Sequence, residues 1–245
     1  MKNIFLLSIV LLSIQTLSAQ ANNNGYGIGS NGVQSDSRLI DLFENIKNRA
    51  NSSTANALNK TKGSPYFEEN FQKAQVEYFG NVLKDEIYLR YNAFSDEMEM
   101  SSIPNPKSSD NILIKNNKVS CVMDGSTYRY LGFIKENQPP SVGYVKELFK
   151  GKVFSFYERK SKAYMEATVA RTSLERSFPA RFVDKTDYFY SIENGSLMEV
   201  KLSKKKISSA LKSYSGEIKS FLSNSKMKLK NPEEVIQLLN YLETI

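Results

Sequence analysis

The feature that most restricts what this chain can fold into is a succession of short alternating segments joined by tight turns. Val76 and Tyr78 alternate with Gln75 and Glu77, and Ile87, Leu89 and Tyr91 alternate with Tyr88, Arg90 and Asn92. Met98 and Met100 continue an apolar face while Glu97 and Glu99 point away from it. Period-2 alternation is the mark of a half-buried strand. Asp124-Gly125 separates Val119 to Met123 from Thr127 to Ile134, and Asn194-Gly195 separates Tyr188 to Ile192 from Leu197 to Leu202. Both dipeptides supply the positive φ that two-residue hairpin turns require. Lys150-Gly151, between Val142 to Phe149 and Lys152 to Glu158, is a third turn of weaker composition. Parallel strands need crossovers of about a dozen residues or more, so these short links imply antiparallel pairing. The expectation is a mainly β fold, an antiparallel meander of about nine or ten strands running from Val76 to Leu202, either barrel-like or a sandwich.

The ends of the chain read differently. Residues 1–19 have a charged start at Lys2, an apolar run from Ile4 to Ile14, and small residues around Leu17-Ser18-Ala19-Gln20-Ala21. This pattern predicts a secretory signal peptide cut after Ala19 or after Ala21. The apolar run is about half of the roughly 20 residues that span a bilayer, so no transmembrane segment is expected in the mature chain. No cysteine stands at positions 18 to 22, so the exported protein, periplasmic or extracellular, is expected not to be lipid-anchored. Residues 20–35 are polar and glycine-rich and predict a flexible linker; Gly25, Gly27 and Gly29 lack the spacing of a phosphate loop. Leu39, Ile40, Leu42, Phe43 and Ile46 predict a short helix behind Asp36. The remainder, 36–245, reads as a single β-rich domain with a helical C-terminal segment, 203–245. There Ile207, Leu211 and Tyr214 share one helical face, as do Ile218, Phe221 and Leu222. Asn231-Pro232-Glu233-Glu234 is a helix start with an Asn cap, proline at the first helical position and Glu at the third to complete a capping box. Two or three C-terminal helices are expected, the last docked on the sheet through Val235, Leu238, Leu239 and Leu242.

Composition narrows the chemistry. There is no histidine and one cysteine, Cys121. The usual general base near neutral pH, the commonest zinc ligand and His-activated nucleophiles are therefore absent, and so is any intrachain disulfide. Cys121 lies in a β-branched strand pattern and reads as a buried structural thiol. Ser-x-x-Lys at Ser203/Lys206, Ser209/Lys212 and Ser223/Lys226 occurs after Ser109-Asp110-Asn111, the reverse of the order in penicillin-recognising enzymes, and no Lys-Thr-Gly follows. Glu97 and Glu99, on one strand face with Asp96 at the turn, are carboxylates suited to histidine-free glycan hydrolysis, though a solvent-facing edge strand uses the same residues. Asp184, Asp187 and Glu193 form no calcium loop of known spacing. No catalytic residue, metal site or cofactor is assigned. Tyr128, Tyr130, Tyr144, Tyr157, Tyr164, Tyr188 and Tyr190 are strand-phased; such aromatic faces can stack on sugars, but in a chain with no tryptophan most of them are expected to pack the core.

Three motifs, Gly63-Ser64-Pro65-Tyr66-Phe67, the stretch Leu89 to Glu97 and the stretch Thr172 to Phe182, can be read together. With them the chain resembles, over about residues 60 to 243, a group of secreted proteins of the Bacteroidota. The resemblance implies a bacterial envelope setting and brings no catalytic motif with it.

Charge gives one positive indication. Without residues 1–19 the chain keeps 32 Lys plus Arg against 26 Asp plus Glu, a net of +6. The excess is concentrated in residues 201 to 230, where nine lysines, Lys204, Lys205, Lys206, Lys212, Lys226 and Lys228 among them, face only Glu217. Such a patch attracts an anionic partner. For an exported chain that partner is another envelope protein or an anionic lipid or glycan, and not nucleic acid. The expected function is a non-catalytic envelope binding or adaptor protein. The alternatives are a carboxylate-based hydrolase of envelope glycan and a structural subunit of an outer-membrane assembly.

Overall fold

The computed structural model describes residues 61–245 except Ser108, Asp110, Arg171 and Ser173. The expected signal peptide, linker and first helix lie outside the described residues. Among the described residues eleven strands occur in order: β1 (Gln72–Tyr78), β2 (Asn81–Val82), β3 (Ile87–Asn92), β4 (Glu97–Ser101), β5 (Asn111–Ile112), β6 (Val119–Met123), β7 (Ser126–Ile134), β8 (Ser141–Lys150), β9 (Phe154–Met165), β10 (Arg181–Ile192) and β11 (Leu197–Glu199). Three helices follow, α1 (Lys204–Ala210), α2 (Ser215–Ser225) and α3 (Pro232–Leu242), with a 3₁₀ turn at Lys212–Tyr214. The mainly β class and the helical C-terminus are as the sequence patterns require.

From β6 to β11 each strand pairs antiparallel with the next. β11 also pairs in parallel with β7, Leu197 opposite Phe133, and closes β7–β11 into a five-stranded barrel. With an odd number of alternating strands the first and last run the same way, so the closing ladder of this otherwise antiparallel ring has to be parallel. The meander order also breaks once, because β1 sits between β3 and β6, leaving β1–β3–β4–β5 as an arm that leads away from the barrel.

Asp124 and Gly125 turn β6 into β7 with φ of +48° and +66°, the conformation expected of that dipeptide. The second hairpin is displaced by one residue. Positive φ falls on Glu193 and Asn194, and Gly195 instead donates its N–H to Ile192 O at 2.8 Å. At the third turn Gly151 allows a close approach: a Cβ there would lie 2.1 Å from Glu243 Oε1 and would have to displace that carboxylate. That carboxylate, just past the end of α3, accepts the N–H groups of Lys152, Val153 and Phe154 at 3.0, 2.9 and 2.7 Å. The terminal helix is thereby fastened to the β8–β9 turn. At its other end Asn231 Oδ1 accepts the Glu234 N–H at 2.9 Å, the expected cap. Glu234 does not complete a capping box, because its carboxylate accepts from Lys228 and Lys230 N–H.

The barrel interior takes one large side chain from each strand: Phe133, Val145, Tyr157, Phe189 and Leu197. Its outer surface is covered in two places. Phe154 and Phe156 of β9, with Tyr188 and Tyr190 of β10, pack under α1–α3 against Ile207, Leu211, Val235, Leu238 and Leu242. Tyr128, Tyr130 and Tyr144 of β7 and β8 pack under the β1–β4 arm with Val76, Leu89, Met98 and Cys121. Most of the strand-phased tyrosines thus fill cores, Tyr164 excepted, which meets Phe182 at 5.5 Å outside the three clusters, and Cys121 is buried beside Tyr128 and Tyr144. Burial pushes the Cys121 thiol up to about 12, which keeps it protonated and unreactive.

Candidate functional site

The outward side chains of β6–β10 form rows across the strands. Register pairs Cys121 with Tyr128, Tyr128 with Lys146, Lys146 with Glu158 and Glu158 with Tyr188. One row therefore contains an ammonium beside a carboxylate, in a surface whose neighbouring positions are aromatic. On β9 Glu158 keeps the phase of Phe154 and Phe156, and on β8 Lys146 keeps the phase of Tyr144. Just beyond this row the β8–β9 register shifts, between Glu147 and Phe149. The row lies where one cover of the barrel meets the other: Tyr188 stacks on Phe156 at 5.7 Å on the helical side, and Tyr130 meets Tyr144 at 5.2 Å on the other.

Residues 62–71 cross above this floor as a strap. Lys62 bridges to Arg181, with its N–H on Ala180 O at 2.8 Å and its carbonyl taking the Phe182 N–H at 2.9 Å. Pro65 O accepts the Ala93 N–H at 3.0 Å. Arg90 fastens the far end, its guanidinium 4.0 Å over the Tyr66 ring and 4.5 Å over Phe71, with Nη1 donating to Glu69 O at 2.9 Å. Between these attachments Phe67, Glu68 and Asn70 look onto the floor and enclose a cleft of about 150 Å³. Its other walls include Tyr91, Tyr128, Tyr144, Lys146, Glu158 and Lys160.

Glu158 is nearly buried at 9% exposure; its Oε1 accepts the Tyr188 hydroxyl at 3.4 Å and its Oε2 lies 4.0 Å from Lys160 Nζ. Lys160 Nζ also stands over the Phe67 ring at 5.5 Å. Lys146 makes no ion pair among the described residues. Burial first, then the neighbouring Cys121 and Glu158, push the Tyr128 hydroxyl up to about 12. Burial likewise raises Tyr144 and Tyr91, with Asp96 adding to both. These phenols stay protonated across any physiological pH and act as neutral hydrogen-bonding groups.

The residues singled out from the sequence are elsewhere. Lys204, Lys205, Lys206, Lys212, Lys226 and Lys228 are all exposed, on or between the C-terminal helices. Lys206 Nζ is 3.8 Å from Glu136 Oε2. Lys204 shares an open groove between α1 and α2 with Lys219, Ser208, Ser215 and Ser223. Glu97 and Glu99 do not form a carboxylate pair open to solvent. Glu99 is buried, with Arg90 donating from Nε and Nη2 at 3.0 and 2.6 Å, Tyr66 from its hydroxyl at 2.7 Å and Asn92 at 3.2 Å. The expectation of a solvent face failed because the strap covers that side of β4. Glu97 is 3.7 Å from Lys115. Asp184 pairs with Lys162 at 2.8 Å and Asp187 pairs with Lys135. No cluster of His, Cys, Asp or Glu fit to hold a metal occurs among the described residues. The cleft itself escaped the sequence reading, although a signal existed: Lys146 and Glu158 interrupt aromatic faces in phase.

Comparison of the chain with protein-family models, with curated proteins and with solved structures returns no match. What the fold and the site define is a mainly β protein whose closed barrel carries a roofed, charge-bearing cleft on its outer wall. No helix among the described residues is long and apolar enough to cross a membrane.

Proposed function

We propose that this is an exported, non-catalytic binding protein of the bacterial envelope. It holds a small ligand in the cleft beneath the 62–71 strap and presents the lysines of its C-terminal helices to an anionic envelope partner, protein, lipid or glycan. The observation that carries this reading is the placement of Lys146 and Glu158, register neighbours on β8 and β9, in the lining of the cleft. Charged groups facing a covered surface lose hydration and stabilise a fold poorly. Here they stand in a cleft lined by aromatic rings, the mixture of apolar walls and few polar groups that marks ligand sites. The leader-like first nineteen residues and the resemblance to secreted Bacteroidota proteins support the export setting. The helical lysines support a second, partner-facing surface because they are exposed and only Lys206 among the six has an acidic partner within 4 Å among the described residues.

The reading is tested by incubating the signal-processed chain with a low-molecular-weight extract of the envelope, then washing, denaturing and identifying the released compound by mass spectrometry. The expected result is one compound retained chemically unchanged by the wild type and lost from Lys146→Met. Retention by both proteins alike, or recovery of a cleaved product, contradicts it. Exchange of Lys204, Lys205 and Lys206 for Glu is expected to leave that retention intact and to abolish salt-sensitive binding to vesicles containing anionic lipid or to an acidic envelope partner.

A further inference from the structure

We infer that the cleft is a saccharide subsite, taking one pyranose ring of a neutral glycan between Phe67 and Tyr128, with ring hydroxyls on Lys146 and Glu158; this rests on the cleft being a ligand site. Size comes first. A volume of about 150 Å³ equals about five waters at their liquid share of roughly 30 Å³ each, which suits a single ring and leaves the rest of a chain outside. Charge comes second. The lining carries Glu68, Asp124 and Glu158 against Arg90, Lys146 and Lys160, and Arg90 is already committed to Glu99. Three carboxylates then stand against two ammoniums, which disfavours an anion, while the ammoniums of Lys146 and Lys160 beside the same small volume oppose a cation.

Third, the carboxylate in the floor is compensated before any ligand arrives. Glu158 has the Tyr188 hydroxyl at 3.4 Å and the Lys160 ammonium at 4.0 Å. What it retains is acceptor capacity rather than unbalanced charge, and a neighbouring Lys146 supplies donors at the same register. A pair of adjacent hydroxyls, each able to donate and accept, matches that combination. A pyranose also has an apolar C–H face for the aromatic walls, with its polar groups around the rim.

The test is a titration of the ¹⁵N-labelled signal-processed chain with methyl β-D-glucopyranoside, methyl β-D-galactopyranoside, methyl α-D-mannopyranoside and N-acetylglucosamine, alongside alanine and glycylglycine. The expected result is that at least one sugar shifts the Lys146, Glu158 and Ser126 amide signals with a Kd on the order of 1 mM, as suits a ligand of about a dozen heavy atoms. Glu158→Ala should weaken it roughly tenfold or more, and Glu158→Gln, which keeps an acceptor for Tyr188, should weaken it less. Lys146→Met should weaken it as well, which keeps the test decisive if Glu158→Ala fails to fold. No shift with any of the four sugars overturns the inference. Shifts of the same signals by alanine or glycylglycine alone overturn the saccharide and leave the cleft as a ligand site. Silence from both classes, with envelope-extract retention unchanged in Lys146→Met, removes the cleft reading too.

Discussion

The barrel's outer wall is covered twice, and the two covers leave very different surfaces beneath them. Under α1–α3 the wall is aromatic and dry: Phe154 and Phe156 are almost wholly inaccessible, and each apolar stripe of the helices meets rings. Under the arm and the strap, the same β8 and β9 strands carry Lys146, Glu158 and Lys160 around an open volume. A helix with a continuous apolar stripe can lie flush on a sheet, and close packing then expels every polar group. A strap of ten residues held at a few points cannot, and the wall beneath it keeps room and charge. The difference separates a face packed shut from a face that keeps an open, charge-lined cleft.

The sharpest way to break this contrast is to open the dry side. Phe156→Ala, at the centre of the helical cover, is expected to cost about 3–5 kcal/mol in denaturant unfolding, transfer and cavity terms together; a loss under about 1 kcal/mol would mean the helices are loosely seated. On the other side the stability should reside in the attachments of the strap rather than in the cleft. Glu99→Ala removes the carboxylate oxygen, Oε2, that accepts from both Nε and Nη2 of Arg90, and is expected to cost about 2–3 kcal/mol, less than a fully buried pair because the arginine is partly exposed. The smallest of these effects concerns the clip between α3 and the β8–β9 turn. Partial desolvation acts to raise the Glu243 carboxyl, but the N–H donors of Phe154, Val153 and Lys152 outweigh it and hold the group below its ordinary value. A carboxylate depressed in the folded state contributes stability above its unfolded value, about 4.3, and loses it as pH falls through the folded value. Glu243→Gln should therefore cost about 0.5–1 kcal/mol at pH 7, screened as the group is. The gap to wild type should close as the pH is lowered below that range, in matched denaturant titrations.

Much of the fold was legible because it is local. The span Val119–Met123 and its Asp-Gly turn, and the Asn231 cap of α3, rest on neighbours in sequence, and the structure keeps them as read. β9 and β10 run well past their apolar segments, to Met165 and back from Arg181. Lys160, Lys162 and Asp184 there are two-sided and polar, so alternation gives no sign of a strand although the ladder continues. Closure of β11 on β7 and insertion of β1 between β3 and β6 are long-range pairings that no local pattern encodes. The same limit hid the site. Phe67 and Glu158 are 91 positions apart, and Glu99 looked solvent-facing because nothing in the alternation of its own strand shows that Tyr66 and Arg90 engage it. Exposure of the helical lysines, by contrast, followed directly from the apolar stripe opposite them.

The central claim is that Lys146 and Glu158 are kept for a ligand and not for the fold. The most direct measurement is the unfolding free energy of the double variant Lys146→Met/Glu158→Gln, in the absence of ligand. The account predicts a value within about 1 kcal/mol of wild type, or higher, because groups retained for binding commonly stabilise little. A loss above about 2 kcal/mol would show that the pair holds the barrel wall together and would contradict it.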